Sequence, residues 1–200
     1  MTGLFVTFEG IDRSGKSTQA RLLADALGAD ALAVREPGGT AVGERVRELL
    51  KDTGLMIGPA AEALLFAAAR AELVAEVIRP ALDDGRVVIS DRFLDSSLAY
   101  QGAARGLGVE PVRQVNEFAT GGLAPDLTLL LDVPTEAAAR RAGVEVDRFE
   151  EEGAGLQERV LAAYEDLVAA EPGRWVRIDG ARDAEAVHAD VLAAVERVRA

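Results

Sequence analysis

The residues from Gly10 to Ser17 fit the pattern G-x-x-x-x-G-K-[ST] at every specified position. Gly10 and Gly15 let the backbone turn tightly and approach a ligand closely, because neither carries a Cβ atom. The N–H groups of that turn and the N-terminus of the following helix form a concave anion site. Lys16 adds a positive charge for outer phosphates, and the Ser17 hydroxyl can ligate Mg²⁺. The segment predicts a nucleotide-binding loop in preference to a chance glycine-rich turn.

Strand and helix patterns alternate around this loop. Short apolar runs predict five strands, at 4–9, 31–34, 86–90, 127–132 and 174–179. Helical patterns separate the strands, including a long one at 59–77 and a shorter one at about 96–104, and they indicate a parallel sheet covered on both faces. The predicted fold class is α/β, a three-layer sandwich of the P-loop NTPase type. We expect one domain over residues 1–200, with a short lid segment at about 141–155.

The composition limits the classes of partner that we expect this protein to bind. The 200 residues carry a formal net charge of −12 and include no cysteine. This acidity argues against a broad basic face for nucleic acid, so no nucleic-acid partner is expected. No apolar run has the length of a transmembrane helix, and the N-terminus lacks the basic region of a signal peptide. We therefore expect no membrane partner and a cytoplasmic location.

Residues that directly follow the strands are further candidates, because ligands of parallel sheets bind at the carboxyl ends of the strands. Asp91 closes the third predicted strand and has the position of a carboxylate that holds Mg²⁺ or its water. Asp132 closes the fourth strand in the same local pattern, so the pattern alone does not choose between them. Asp91 is favoured because Arg92 follows it and a phosphate site needs cations.

Six motifs occur in order along the chain, at 8–19, 35–40, 65–70, 91–93, 96–102 and 125–128. Together they resemble the thymidylate kinase family over essentially the whole sequence. The most specific part is the Asp-Arg-Phe motif followed by Ser-Ser-Leu-Ala-Tyr-Gln-Gly. The resemblance implies an enzyme that phosphorylates dTMP to dTDP with ATP and Mg²⁺ in dTTP biosynthesis. It also implies a homodimer.

The same resemblance implies a thymine site on one predicted helix. Phe66 is similar to the family phenylalanine that stacks on thymine, although a plain core aromatic would give the same pattern. Arg70 lies four residues further on, on the same helical face, and would donate to the base. Arg92 resembles the arginine that grips the dTMP phosphate, and its alternative is a structural ion pair with Asp91 or another carboxylate.

Asp12 looks like the family carboxylate that contacts the sugar 3′-OH, and Tyr100 would pack against the sugar near C2′. Arg35 can reach the acceptor phosphate, but a salt bridge to Glu36 or Glu44 is nearly as well supported. The expected dTMP-binding residues are Asp12, Arg35, Pro37, Phe66, Arg70, Arg92, Ser96, Ser97, Tyr100 and Gln101. The expected ATP-binding residues are Gly10, Ile11, Asp12, Arg13, Ser14, Gly15, Lys16, Ser17, Thr18 and Arg148.

Members of this family place a catalytic arginine either in the loop or in the lid. This chain has Arg13 in the loop and Arg148 in a lid that is short and mixed in charge, so we expect Arg13 to act on the transferred phosphoryl group. The expected catalytic residues are Arg13, Lys16, Arg92 and Asp91. The expected metal ligands are Ser17 and Asp91. The loop at 179–182 is a candidate for contact with adenine.

Two alternatives stay open on the sequence. One is a P-loop kinase for another nucleotide or a nucleoside. The other is a regulatory GTP-binding switch, which needs an Asn-Lys-x-Asp segment, whereas the only asparagine, Asn116, is followed by Glu117. A dimer surface has a similar ambiguity, because the apolar residues that would form it suit an ordinary core equally well; they are Leu64, Leu65, Leu73, Val74 and Ile78.

Overall fold

A computed structural model describes residues 3–141 and 154–199, and its centre is a five-stranded parallel sheet. The strands are Leu4–Glu9 (β1), Ala31–Arg35 (β2), Val87–Asp91 (β3), Leu127–Asp132 (β4) and Trp175–Asp179 (β5). Their order across the sheet is β2-β3-β1-β4-β5. The central strand β1 therefore pairs with β3 on one side and β4 on the other. The predicted five-stranded parallel sheet is confirmed.

Nine α-helices lie in the described ranges. They are Lys16–Leu27 (α1), Ala41–Lys51 (α2), Pro59–Leu73 (α3), Arg79–Asp83 (α4), Leu94–Ser97 (α5), Val109–Thr120 (α6), Thr135–Arg140 (α7), Ala154–Ala170 (α8) and Ala184–Arg199 (α9). Two π-helical segments, Val74–Ile78 and Leu98–Ala104, continue α3 and α5.

The two faces of the sheet pack against different helices, because successive side chains of a strand point to opposite faces. On one face, Val6 and Leu129 pack in a cluster with Leu23 of α1 and Val191 of α9. On the other face, residues of β1, β3 and β4 pack with residues of α3, α6 and α8; they include Phe5, Val88, Leu130, Leu73, Val112 and Val160. This arrangement is the predicted three-layer sandwich.

Two predicted helices differ from the observed ones. The pattern at 59–77 predicts one helix, whereas α3 ends at Leu73, a π-helical turn follows, and α4 begins at Arg79. Pro80 falls in the first turn of α4, where the N–H group that it lacks is not needed. The pattern at 96–104 similarly divides into α5 and a π-helical segment. Apolar spacing does not reveal the π-helical segments, because each covers only one or two turns, which is too short for a change of period to show.

Most of the apolar residues considered for a dimer surface belong to the core. Leu73, Val74 and Ile78 are at most 2% exposed, so they are not available as a surface. Leu64 of α3, in contrast, is 59% exposed. Among the helices of residues 3–141 and 154–199, none combines the length and the apolar character needed to cross a membrane.

Candidate active site

The glycine-rich loop connects the end of β1 to the start of α1 at the carboxyl edge of the sheet. Gly10 has a φ of 137°, and a Cβ atom on it would lie 2.8 Å from the carbonyl oxygen of Leu131. Gly15 has a φ of 102° and precedes the first residue of α1. Arg13 also has a positive φ, of 62°, which is uncommon for a residue with a side chain. The loop therefore has the backbone geometry that its glycine pattern predicts.

Lys16 lies over this loop and is nearly buried, with 5% of its surface exposed. Its Nζ atom donates to the carbonyl oxygen of Ile11 at 2.6 Å and to Ser14 Oγ at 3.2 Å. Burial, together with the charge of Arg92, lowers the pKa of Lys16 to about 8. An anionic phosphate beside the amine would favour its charged form and raise this pKa again.

We therefore predict that ADP binding is accompanied by proton uptake above pH 8. At pH 9 free Lys16 is mostly neutral, so binding should take up about one proton, whereas at pH 7 the amine is already charged and uptake should be well under half a proton. Calorimetric titration in two buffers of different ionisation enthalpy measures this number. The Lys16→Arg variant should show no such uptake, because a guanidinium stays charged. Equal uptake at both pH values would contradict the prediction.

A hydroxyl and a carboxylate meet at the mouth of the loop. Ser17 Oγ donates to Asp91 Oδ2, and both are oxygen donors of the kind that Mg²⁺ prefers. Asp132, the alternative carboxylate, instead accepts from Arg177 at 3.1 Å. Residues 3–141 and 154–199 contain no cluster of three or more acidic, histidine or cysteine side chains that could hold a metal alone. The geometry favours Asp91 and suits an ion that is bound jointly by protein and phosphate.

Arg92 connects the glycine-rich loop with the turn that follows β3. It follows β3 with a φ of 73°, and its guanidinium is paired with the carboxylate of Asp12. Its Nη1 atom donates to the carbonyl oxygen of Gly10 at 3.1 Å and to Ser96 Oγ at 3.0 Å. The guanidinium also lies over the ring of Tyr100, 5.2 Å from its centroid. An ion pair with a carboxylate is thus present, and it holds Arg92 at the wall of the cleft.

Glu9, at the end of β1, supports this turn, and it was not among the site residues expected from the sequence. Its buried carboxylate accepts from the backbone N–H groups of Phe93 and Ser96. It also accepts from Ser96 Oγ at 2.6 Å and from the hydroxyl of Tyr164 at 2.7 Å. Burial, assisted by the charge of Asp95, raises the pKa of Glu9 to about 7. The four convergent donors favour the ionised form of the side chain, so Glu9 fixes the turn that carries Arg92.

Arg70 is the largest buried polar side chain of the site, with 1% of its surface exposed. Its Nε and Nη2 atoms donate to Glu36 Oε2. Nη1 donates to Ser97 Oγ and to Asn116 Oδ1, and Nη2 also donates to the carbonyl oxygen of Phe93. These contacts engage all five N–H groups of the guanidinium. A contact from Arg70 to a base would have to share one of these hydrogen atoms.

A cleft of about 960 Å³ opens between the loop, the end of β2 and the helix α3. Phe66 reaches this cleft from α3 and is half-buried against Val46 and Leu50. The cleft brings together fourteen of the expected site residues, which are Asp12, Arg13, Lys16, Ser17, Arg35, Pro37, Phe66, Arg70, Asp91, Arg92, Ser96, Ser97, Tyr100 and Gln101. Its size suits a bound nucleotide.

Other expected residues have different positions. Ile11 is 1% exposed and packs in the core, so only its backbone belongs to the loop. Arg35 donates to Glu44 at 3.1 Å, which is the salt bridge that the sequence left open, while Glu36 pairs with Arg70 instead. Arg141 donates to the carbonyl oxygens of Ser14 and Gly180, so it bridges the loop and the segment considered for adenine. Arg148 and most of the expected lid lie outside the described residues.

Comparison with known proteins addresses what this cleft binds. The family model described as "Thymidylate kinase" matches residues 8–191. The chain belongs to the thymidylate kinase family. The thymidylate kinase of Caldanaerobacter subterraneus is 52% identical to it over 98% of this chain and 96% of its own length. That of Bifidobacterium longum is 49% identical over 96% of both chains. The crystal structure of thymidylate kinase from Ehrlichia chaffeensis superimposes with a TM-score of 0.82 at 32% identity, covering 98% of this chain and all of that one.

This membership confirms the resemblance read from the six motifs and the kinase class of the enzyme. The chain is an ATP-dependent nucleoside monophosphate kinase that phosphorylates dTMP. Asn116 is the only asparagine of the sequence, and a guanine-reading segment would need it. It is 1% exposed and bonded to Arg70, so it does not face the cleft as such a segment would require.

Proposed function

We propose that this chain transfers the γ-phosphoryl group of ATP to dTMP in the cleft between the glycine-rich loop and α3. The observation that carries the proposal is the position of Asp12, Arg13 and Lys16 in one cleft with Phe66 and the residues of the Arg92 turn. A loop for the donor phosphates and a pocket for an acceptor nucleotide thus face the same space. The product dTDP serves dTTP biosynthesis.

On this proposal the donor lies on the loop from Gly10 to Thr18, with Lys16 at its outer phosphates. Ser17 and Asp91 hold Mg²⁺, which neutralises phosphate charge when it is bound. Arg148 contacts ATP from the lid segment. Arg13 is directed at the phosphoryl group in transfer. Phosphoryl transfer requires positioning and charge neutralisation more than covalent participation, and these cations supply both.

The acceptor lies between Phe66, which stacks on the thymine, and Tyr100, which packs against the deoxyribose. Arg92 grips the acceptor phosphate, and Arg35 and Pro37 complete that end of the site. Ser96, Ser97 and Gln101 line the nucleoside part, with Arg70 sharing an N–H group with the base. The acceptor oxygen needs no dedicated general base, because the phosphate of dTMP is already ionised near neutral pH.

The acceptor preference is tested by coupled ADP release with ATP and each of dTMP, dUMP, UMP, CMP and thymidine. We expect dTMP to be preferred, and dUMP to show kcat/KM lower by roughly tenfold or more, because it lacks a methyl group that a fitted pocket recognises. Faster turnover of any other acceptor would favour the alternative of a kinase for another nucleotide. Slow hydrolysis of the nucleoside triphosphate at a rate that does not depend on dTMP would favour the alternative of a regulatory GTP-binding switch.

We further propose a single domain over residues 1–200 with a lid at about 141–155, a cytoplasmic location and a homodimer. Support for the homodimer comes from two exposed apolar side chains on helices that pack together, Leu64 of α3 and Phe118 of α6, which are 59% and 92% exposed. Apolar surface that is exposed on neighbouring helices is typical of protein interfaces.

A further inference from the structure

The side chain of Gln157, in the first turn of α8, is bonded to two residues of the acceptor site. The backbone N–H of Asp12 donates to Gln157 Oε1 at 3.2 Å, and Gln157 Nε2 donates to Asp12 Oδ2 at 2.8 Å. The hydroxyl of Tyr100 also donates to Gln157 Oε1, at 3.3 Å. Asp12 and Tyr100 line the cleft, and Gln157 contacts both without lining the cleft itself.

These bonds hold the Asp12 carboxylate from two sides. Arg92 is bonded to Oδ1 and Gln157 to Oδ2, so the plane of the carboxylate is fixed. Burial acts to raise the pKa of Asp12, but the charges of Arg92 and Lys16 outweigh it and lower the pKa. The carboxylate is therefore ionised at neutral pH and able to accept a hydrogen bond from a ligand hydroxyl.

An amide is the side chain that satisfies both neighbours at once. It offers a donor to the Asp12 carboxylate and an acceptor to the Asp12 N–H and the Tyr100 hydroxyl. A glutamate in its place would put a second carboxylate beside Asp12, and a leucine would leave all three polar groups without this partner. Gln157 is half-buried, so solvent replaces these bonds only in part.

We propose that Gln157 is a positioning residue that orients Asp12 and Tyr100 and thereby sets the preference of the enzyme for an acceptor with a 3′-hydroxyl group. The inference rests on the proposed contact of Asp12 with that hydroxyl. Gln157 touches no reacting atom. Its effect is on the direction in which the Asp12 carboxylate and the Tyr100 ring face the sugar.

The test compares dTMP with its 3′-deoxy analogue as acceptors at saturating ATP. In the unmodified protein we expect kcat/KM to favour dTMP by about tenfold to hundredfold, as for a hydrogen bond to a charged group. In Gln157→Leu this preference should shrink by about tenfold, through a higher KM for dTMP, while the KM for ATP stays within about twofold. Gln157→Glu should have a larger effect because it sets two carboxylates side by side.

Two further variants distinguish a positioning role of Gln157 from a general loss of structure or activity. Gln114→Leu replaces an exposed glutamine of α6 that is bonded only to Glu110 among the described contacts, and it should retain the full preference. Asp12→Asn should itself reduce the preference. Adding Gln157→Leu to Asp12→Asn should reduce it no further, because residues that act through one group are not additive.

The outcomes are distinct. A Gln157→Leu variant that loses activity equally toward both acceptors, with an unchanged ratio, would show a merely structural role and overturn the inference. A ratio that falls further when Gln157→Leu is added to Asp12→Asn would overturn it as well. If the unmodified protein uses dTMP but does not prefer it over the 3′-deoxy analogue, the proposed contact of Asp12 fails and the inference fails with it. No turnover of dTMP would instead refute the proposed function.

Discussion

Replacing Arg13 by alanine is expected to lower kcat by roughly 10³-fold or more, the scale on which an arginine directed at a transferred phosphoryl group acts. Arg13 lies in the loop at a positive φ and lines the cleft beside Lys16. Its neighbour Asp12 is instead paired with Arg92, so on the proposed function the two consecutive residues serve different parts of the reaction. The affinity for dTMP should change by less than about threefold, because the charge of Arg13 acts in the transition state.

Steady-state kinetics and calorimetric binding of dTMP together measure this separation. Arg45→Ala is a matched control, because Arg45 is an exposed arginine of α2 outside the residues that line the cleft, and it should leave kcat unchanged. A near-normal kcat in Arg13→Ala would contradict the assignment. The catalytic arginine would then have to come from the lid, and Arg148→Ala should show the large loss instead.

Replacing Arg70 by methionine is expected to reduce the free energy of unfolding by about 3–5 kcal/mol, as for the loss of one member of a buried ion pair. The substitution leaves Glu36, which is 6% exposed, without its cation. It also removes a donor from Ser97, Asn116 and the carbonyl oxygen of Phe93. Denaturation by urea, followed by circular dichroism, measures the loss.

The pH dependence of this variant gives a second measurement. Burial already raises the pKa of Glu36 in the presence of Arg70, and without the cation the folded state should hold Glu36 as the neutral acid. The folded chain then binds a proton that the unfolded chain releases above pH 4.5, so stability should fall as the pH rises through the folded pKa. Arg70→Met should accordingly be less stable at pH 8 than at pH 5.

Two variants test the cause of the loss. Adding Glu36→Gln to the Arg70→Met variant replaces the carboxylate that has lost its cation by a neutral amide. This change should restore part of the free energy of unfolding. Arg21→Met breaks an exposed pair with Asp25, whose side chains are 66% and 65% exposed, and should cost less than about 1 kcal/mol. If Arg70→Met lowered the free energy of unfolding by as little as Arg21→Met does, the hydrogen bonds and ion pair of Arg70 would contribute little to stability.

The sequence predicted the sheet well because its strands are marked locally. The bounds 4–9 and 127–132 agree with the structure, since both are apolar runs bounded by residues that break a strand. The part of the cleft next to the loop was also predictable, because residues at the ends of parallel strands meet at one edge of the sheet, whereas Phe66 and Tyr100 were expected there only from the family resemblance. Asp91 and Arg92 needed no long-range information beyond that rule.

The contacts of Arg70 and Gln157 could not be predicted in the same way. Helical spacing placed Arg70 on the face of Phe66, but Glu36 and Asn116 lie 34 and 46 positions away and carry no local signal. Gln157 is 145 positions from Asp12. From sequence alone, a single glutamine in an amphipathic helix is expected to be a solvated side chain. Leu73, Val74 and Ile78 suited a core and a surface equally, and only the packing decided for the core.

The central position of β1 has a consequence for the order in which the site forms during synthesis. β1 and its loop are synthesised before β3 and β4, the partners of β1 in the sheet, which follow much later in the chain. Gln157 is translated 145 residues after Asp12, roughly 7–30 seconds later at 5–20 residues per second. Until β3 has been synthesised, the apolar strand β1 has no neighbour in the sheet. The glycine-rich loop is thus made well before Gln157, which bonds to Asp12 within it, and a nascent chain that stops before α8 should lack the contacts of Gln157 with Asp12 and Tyr100.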